Sequence, residues 1–273
     1  MPDFLVIGAV KAGTTTLYRW LDEQPDIHMS SKKEPRFFDM HWERGTAWYA
    51  EFFKDARADQ LVGEASPQYS NLEGGKRAAS RIADLLPDAR LVYVVRHPID
   101  RLLSEYRYNW RRGIVGGSLL QNQRDRLVGS SCYYARLTPY IERYPREQIC
   151  VVRFEDMINE DSTGWNEILR FLGLPERPSP GTVYNRTATY PIATPMTRRL
   201  SAARRKLGLP RPPAKIRSAF ARKRIPTYVD PVTEKDQPKL DEVAPEIWAD
   251  IERLEAWLEA SAPLWVRNAS SST

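Results

Sequence analysis

The chain has 273 residues, 42% hydrophobic and 28% charged, which is enough for one α/β domain with a substantial core. Its net charge of +6 suggests an anionic ligand without naming one. Two cysteines, no leader pattern and no run near the ~20 apolar residues of a membrane span argue against a disulfide scaffold or a spanning protein; a soluble, cytoplasmic chain is expected. In chain order, apolar runs predict strands at 4–8, 61–64, 90–95 and 148–153, with little alternation, as in parallel strands buried on both faces. Helical spacing predicts helices at 15–24, 76–86, 98–112, 131–144 and 163–172, and a last one at 239–260. Strands alternating with helices predict a three-layer α/β fold with a central parallel sheet. Residues 1–267 read as one domain and 268–273 as a disordered tail.

The segment from Phe4 to Arg19 carries the most chemistry. An apolar strand runs into a small-residue loop, Gly8 to Gly13, and then into Thr14, Thr15 and Thr16 at a helix start. Loop N–H groups and the positive end of a helix suit an anion. An ATP-type loop places lysine directly after the second glycine. Here that position is Thr14 and the lysine, Lys11, lies inside the loop, so ATP held in the usual way is not expected.

A second anion site is expected where Arg96 ends a buried strand and Ser104 follows one turn into the next helix, beyond Pro98. Lys11, Glu64 and Arg96 all fall at strand ends, where open α/β sheets bind ligands, so the three could share one crevice. Each residue also has a plain reading: Lys11 as a solvated loop lysine, Glu64 as a structural carboxylate, Arg96 as a partner for Asp100, and Ser104 as an ordinary helix serine.

Together these motifs resemble the PAPS-dependent sulfotransferases, whose fold is P-loop-like. Lys11-Ala12-Gly13-Thr14-Thr15-Thr16 is similar to their 5′-phosphosulfate loop, and Arg96 with Ser104 to their 3′-phosphate motif. Three more segments resemble the heparan and carbohydrate branch and its bacterial relatives: Lys33 to Asp39 continuing to Trp48-Tyr49, Gly63 to Tyr69, and Tyr184-Asn185-Arg186-Thr187 running on to Pro191. The resemblance implies transfer of a sulfuryl group from 3′-phosphoadenosine 5′-phosphosulfate to a hydroxyl or amine of a glycan, glycolipid or secondary metabolite. The product would be 3′-phosphoadenosine 5′-phosphate, and no metal is implied. It also implies donor contacts from residues 11–16, Arg96, Ser104, Tyr184, Arg186 and Thr187, catalysis by Lys11, and Glu64 as general base. Lys33, Arg36 and His41 fall on the acceptor side. Ala65 stands where relatives of this branch commonly carry lysine, which puts the acceptor class in question more than the reaction.

Two other classes stay open. A nucleotide kinase or NTPase would need an aspartate metal partner at a strand end. A non-catalytic binding module would use the basic stretch 198–224, which otherwise reads as a solvated helical face, an acceptor-recognition or lid region, or a peripheral membrane or lipid-linked contact. No nucleic-acid module accompanies that charge. His28, His41 and His97 read as structural rather than catalytic, and the aromatic group around Phe37 and Tyr49 as packing.

Overall fold

The computed structural model describes residues 1–112, 114–115, 118–184 and 230–267. The basic stretch 198–224, the residues Arg186 and Thr187, and the tail 268–273 lie outside the described residues. Five strands form one parallel sheet: β1 (Phe4–Gly8), β2 (Ile27–Met29), β3 (Leu61–Ala65), β4 (Arg90–Val95) and β5 (Ile149–Arg153). Their order is β2-β3-β1-β4-β5. The four expected strands are present within one residue at each end. β2 was not expected: three residues, with His28 in the middle, are too short to show a period.

All five residues of β1 are buried, as are five of six in β4, which explains why both read as continuous apolar runs. β1 is central, paired through Leu5 to Glu64 of β3 and through Leu5 to Leu91 of β4. The chain fills one side of β1 with β2 and β3 and then crosses to β4 and β5. The order therefore switches direction between β1 and β4, where a crevice opens beyond the strand ends.

Nine α-helices among the described residues cover the sheet: α1 (Thr14–Asp22), α2 (Gly45–Ala50), α3 (Gly75–Leu85), α4 (Pro98–Arg111), α5 (Arg124–Gly129), α6 (Tyr133–Ile141), α7 (Phe154–Ile158), α8 (Thr163–Phe171) and α9 (Gln237–Leu258). The helix expected over 131–144 is shorter at both ends, with Cys132 and Glu142 as its flanking residues. Both cysteines are free and buried. None of the described helices is long and apolar enough to cross a membrane.

Two buried polar contacts fix the helices that carry the site. Arg101 of α4 is wholly buried; it donates to Ser131 Oγ at 2.8 Å, to Glu105 at 2.7 Å and to the Leu127 carbonyl at 2.6 Å, tying α4 to α5. Such a buried pair adds little net stability but strongly penalises the loss of one partner. Asp250 of α9 is also wholly buried and accepts the N–H groups of Tyr134 and Ala135 at 2.8 and 3.0 Å, capping α6 from a distant element. Asp250→Ala leaves those donors without an acceptor, and urea unfolding is expected to show a loss of about 2 kcal/mol. An unchanged unfolding midpoint would contradict this role.

Candidate functional site

The loop after β1 reaches α1 through Gly13, which has φ +92°. Only glycine adopts this conformation cheaply, and a Cβ there would come within 2.1 Å of the Phe154 ring. The loop is thus pressed against α7 with the N-terminus of α1 facing the crevice. Thr16 and Leu17 N–H groups bond the Gly13 carbonyl, whereas the first-turn donors of Thr14 and Thr15 have no intrahelical acceptor. Thr14, Thr15 and Gly13 line an open cleft of about 860 Å³ together with Lys11.

Across the cleft, β4 delivers Arg96, whose guanidinium lies 5.7 Å from the centre of the Phe154 ring. Pro98 starts α4, and Asp100, Ser104, Arg107 and Tyr108 present one face of that helix to the cleft. Arg107 forks onto Asp230 at 2.8–3.0 Å. Lys11 Nζ sits 4.2 Å from the centre of the Tyr108 ring. Burial lowers the Lys11 pKa, and Arg96, Arg101 and Arg112 push it the same way against Glu105, leaving it at about 8.

The segment at 181–184 closes one side. Trp20 Nε1 donates to the Thr182 carbonyl at 2.9 Å, Thr16 Oγ1 accepts the Tyr184 N–H at 3.0 Å, and the Tyr184 hydroxyl reaches Glu23 at 3.2 Å. Tyr184 and Arg19 both line the cleft.

Lys11, Gly13, Thr14, Thr15, Arg96, Ser104, Tyr184 and Lys33 therefore come together around one cleft. Five expected residues among those described do not line it: Ala12, Thr16, Arg36, His41 and Glu64. Ala12 is buried and its N–H is taken by the Ala9 carbonyl, while the buried Thr16 hydroxyl is used to hold Tyr184. Arg36 is committed to Asp39, and His41 packs edge-on against Trp48 at 5.3 Å.

Glu64 was expected in the same crevice as Lys11 and Arg96, but it is 0% exposed and absent from the cleft wall. It lies one residue inside the end of β3, under a cover of aromatic residues. Tyr49 donates to its Oε2 at 2.8 Å, and Tyr49 in turn stacks on Phe37 at 4.5 Å. Burial raises its pKa to about 7, against hydrogen bonds from Tyr69, Tyr49 and Ser66.

The carboxylate that does face the cleft beside Lys33 is Glu34. Lys33 Nζ donates to its Oε1 at 2.6 Å and Gln68 Nε2 to its Oε2 at 2.8 Å. Burial alone would raise its pKa, but the Lys33 charge and hydrogen bond, the Gln68 bond and the Arg36 charge outweigh that and hold it below the usual value. Sequence reasoning missed Glu34 and Gln68. Glu34 follows β2, and with that strand unrecognised the 30–36 loop had no strand end to place it at the crevice.

Among the described residues no group of three or more His, Cys, Asp or Glu is arranged to hold a metal ion, and none of the five strands ends in aspartate.

Residues 76–178, which include Arg96 and Ser104 but not the Lys11 loop, match the profile described as "Sulfotransferase family". The mouse heparan sulfate glucosamine 3-O-sulfotransferase 3B1 is 28% identical over 185 residues, 64% of this chain and 46% of that protein. A sulfotransferase structure from Alicyclobacillus acidocaldarius superposes with a TM-score of 0.65 at 22% identity, covering 96% of this chain and 97% of the other. The chain resembles the sulfotransferases. Mouse sulfotransferase SULT7A1, solved in complex with PAP, has a TM-score of 0.50 at 15% identity, covering 96% of this chain and 89% of the other. The fold is the P-loop-like three-layer fold of these sulfotransferases. The chain spans less than half the length of the curated relatives it matches first, 23% and 46%.

A lysine with a pKa of about 8 is charged below that pH and neutral above it. Anion affinity, measured by calorimetry with sulfate from pH 6.5 to 9.5, is therefore expected to hold steady and then fall as pH rises past about 8. Lys11→Met should bind more weakly and lose that falling limb; an unchanged profile in Lys11→Met would remove Lys11 from the site.

Proposed function

We propose that this chain transfers a sulfuryl group from 3′-phosphoadenosine 5′-phosphosulfate to an acceptor hydroxyl, with glycans the acceptor class favoured by its relationship to heparan sulfate sulfotransferases. The observation that carries this reading is the two sets of anion donors that line one cleft. Lys11, Thr14 and Thr15 stand at the start of α1, and Arg96 with Ser104 stands at the end of β4 and in α4. Two sets of donors, one from the β1–α1 loop and one from β4 and α4, suit a nucleotide phosphorylated at both 5′ and 3′ positions, and the cleft's volume of about 860 Å³ accommodates a ligand of that size. A kinase reading lacks its aspartate at a strand end among the described residues.

When bound, the donor supplies an activated sulfuryl group whose leaving oxygen belongs to the 5′-phosphate. In the transfer an S–O bond forms to the acceptor oxygen and the S–O bond to that phosphate breaks, so negative charge grows on the leaving side. Lys11 and the first-turn N–H groups of α1 stabilise that charge, already oriented and largely shielded from water. Arg96 and Ser104 hold the 3′-phosphate and thereby fix the 5′ end. The acceptor's proton passes to a carboxylate. Glu34 suits that step: it lines the cleft and is held ionised by Lys33 and Gln68. Glu64, which the resemblance implied for this role, has no access to the cleft and serves here to anchor Tyr49 beneath the 34–38 segment.

The test is PAP release from the donor, screened against hydroxyl-bearing glycans and small alcohols. Once an acceptor turns over, Glu34→Gln is expected to lower kcat by about 10²- to 10⁴-fold with PAP affinity kept. Glu64→Gln is expected to retain most of the rate. A fall in Glu64→Gln with Glu34→Gln unaffected would return the proton-accepting role to Glu64, and absence of PAP release with every acceptor class would contradict sulfuryl transfer.

A further inference from the structure

We propose that Gln68 is the residue that positions the cleft carboxylate, fixing Glu34 from the side opposite Lys33; this rests on the reading of Glu34 as the proton acceptor. The argument starts from the backbone. Glu34 and Arg36 both have positive φ, 61° and 58°, a conformation non-glycine residues keep only when their surroundings hold them there. The surroundings are one segment, the end of β3 and the short turn after it. The Ala65 carbonyl accepts the Glu34 N–H at 3.1 Å and Ser66 Oγ accepts the Arg36 N–H at 3.2 Å.

Gln68 extends the same template to the side chain. Its Nε2 donates to Glu34 Oε2 at 2.8 Å while Lys33 Nζ holds Oε1 at 2.6 Å. Each carboxylate oxygen thus has a donor from a different part of the chain, and the carboxylate plane is set. Gln68 Oε1 is shielded from solvent and has no partner among the described residues, so Glu34 alone orients the amide. A buried amide acceptor left unmatched is unfavourable, so the placement is explained by what the other end of the amide does.

The two donors also differ in kind. Lys33 neutralises charge at Oε1. Gln68 is neutral and directs Oε2 without making it a much weaker base, leaving that oxygen able to take a proton from an acceptor hydroxyl. The charged groups that act on Glu34 are Lys33, from its own loop, and Arg36, which is itself committed to Asp39. Gln68 is the neutral donor among them and the one that comes from the β3 side.

Site-specific titration of the Glu34 carboxyl carbon by NMR tests this without an acceptor, with the signal assigned from its loss in Glu34→Gln. Gln68→Leu removes the donor and is expected to raise the Glu34 midpoint by roughly half a pH unit or more. Gln68→Glu, nearly isosteric, places a like charge there and is expected to raise it further. Near-ultraviolet circular dichroism reports folding and is expected to match the wild type in both. A Glu34 midpoint unmoved in the folded variants would overturn the proposal, and Gln68→Glu alone decides it if Gln68→Leu does not fold. The separate reading of Glu34 as proton acceptor would fail instead through undiminished turnover in Glu34→Gln, whatever the titration shows.

Discussion

A positive charge held away from water organises this molecule. Lys11 stands at the end of the central strand, in a loop that Gly13 turns back against Phe154, with Arg96, Arg101 and Arg112 near enough to oppose its protonation. Desolvated cations that repel one another are unfavourable in the unliganded protein, and an anion relieves that repulsion on binding. The sheet order puts Lys11 and Arg96 on neighbouring strands, and the buried Arg101–Glu105 pair holds α4 where Ser104 and Tyr108 complete the wall. Topology and burial together thus gather the cationic groups at this edge.

The opposite end of the cleft works by compensation. There Lys33 is set against Glu34, and Arg36, which does not line the cleft, is set against Asp39. The charge gradient along the cleft runs from concentrated positive charge around Lys11 to a balanced region around Glu34. That distribution suits the proposed transfer, in which a polyanionic sulfuryl donor binds at one end and the acceptor hydroxyl gives up its proton to a carboxylate at the other.

Much of this was legible in the residues. β1 and β4 announced themselves because burial on both faces leaves no alternation to decode, and Gly13 followed by threonines marks a phosphate-type turn. The positions of Lys11, Arg96 and Ser104 followed from strand ends. What stayed hidden depended on contacts between distant segments. Glu64 and Glu34 are equally acidic on paper, but Glu64 lies beneath Tyr49, which stacks on Phe37, whereas Glu34 faces the cleft. The Thr16 hydroxyl looks identical in type to those of Thr14 and Thr15, yet the rotation of about 100° per helical residue turns it toward Tyr184. β2 was too short for periodicity to reveal, and with it went the placement of Glu34 and Gln68.

The central claim is that this cleft recognises a nucleotide by phosphates at two positions. Calorimetric titration with PAP, with the same nucleotide lacking its 3′-phosphate, and with ATP plus Mg²⁺ tests it most directly. The account predicts that PAP binds at least tenfold more tightly than the analogue without the 3′-phosphate, and that Arg96→Ala erases the difference. Equal affinity for the two nucleotides, or a preference for ATP with Mg²⁺, would contradict it.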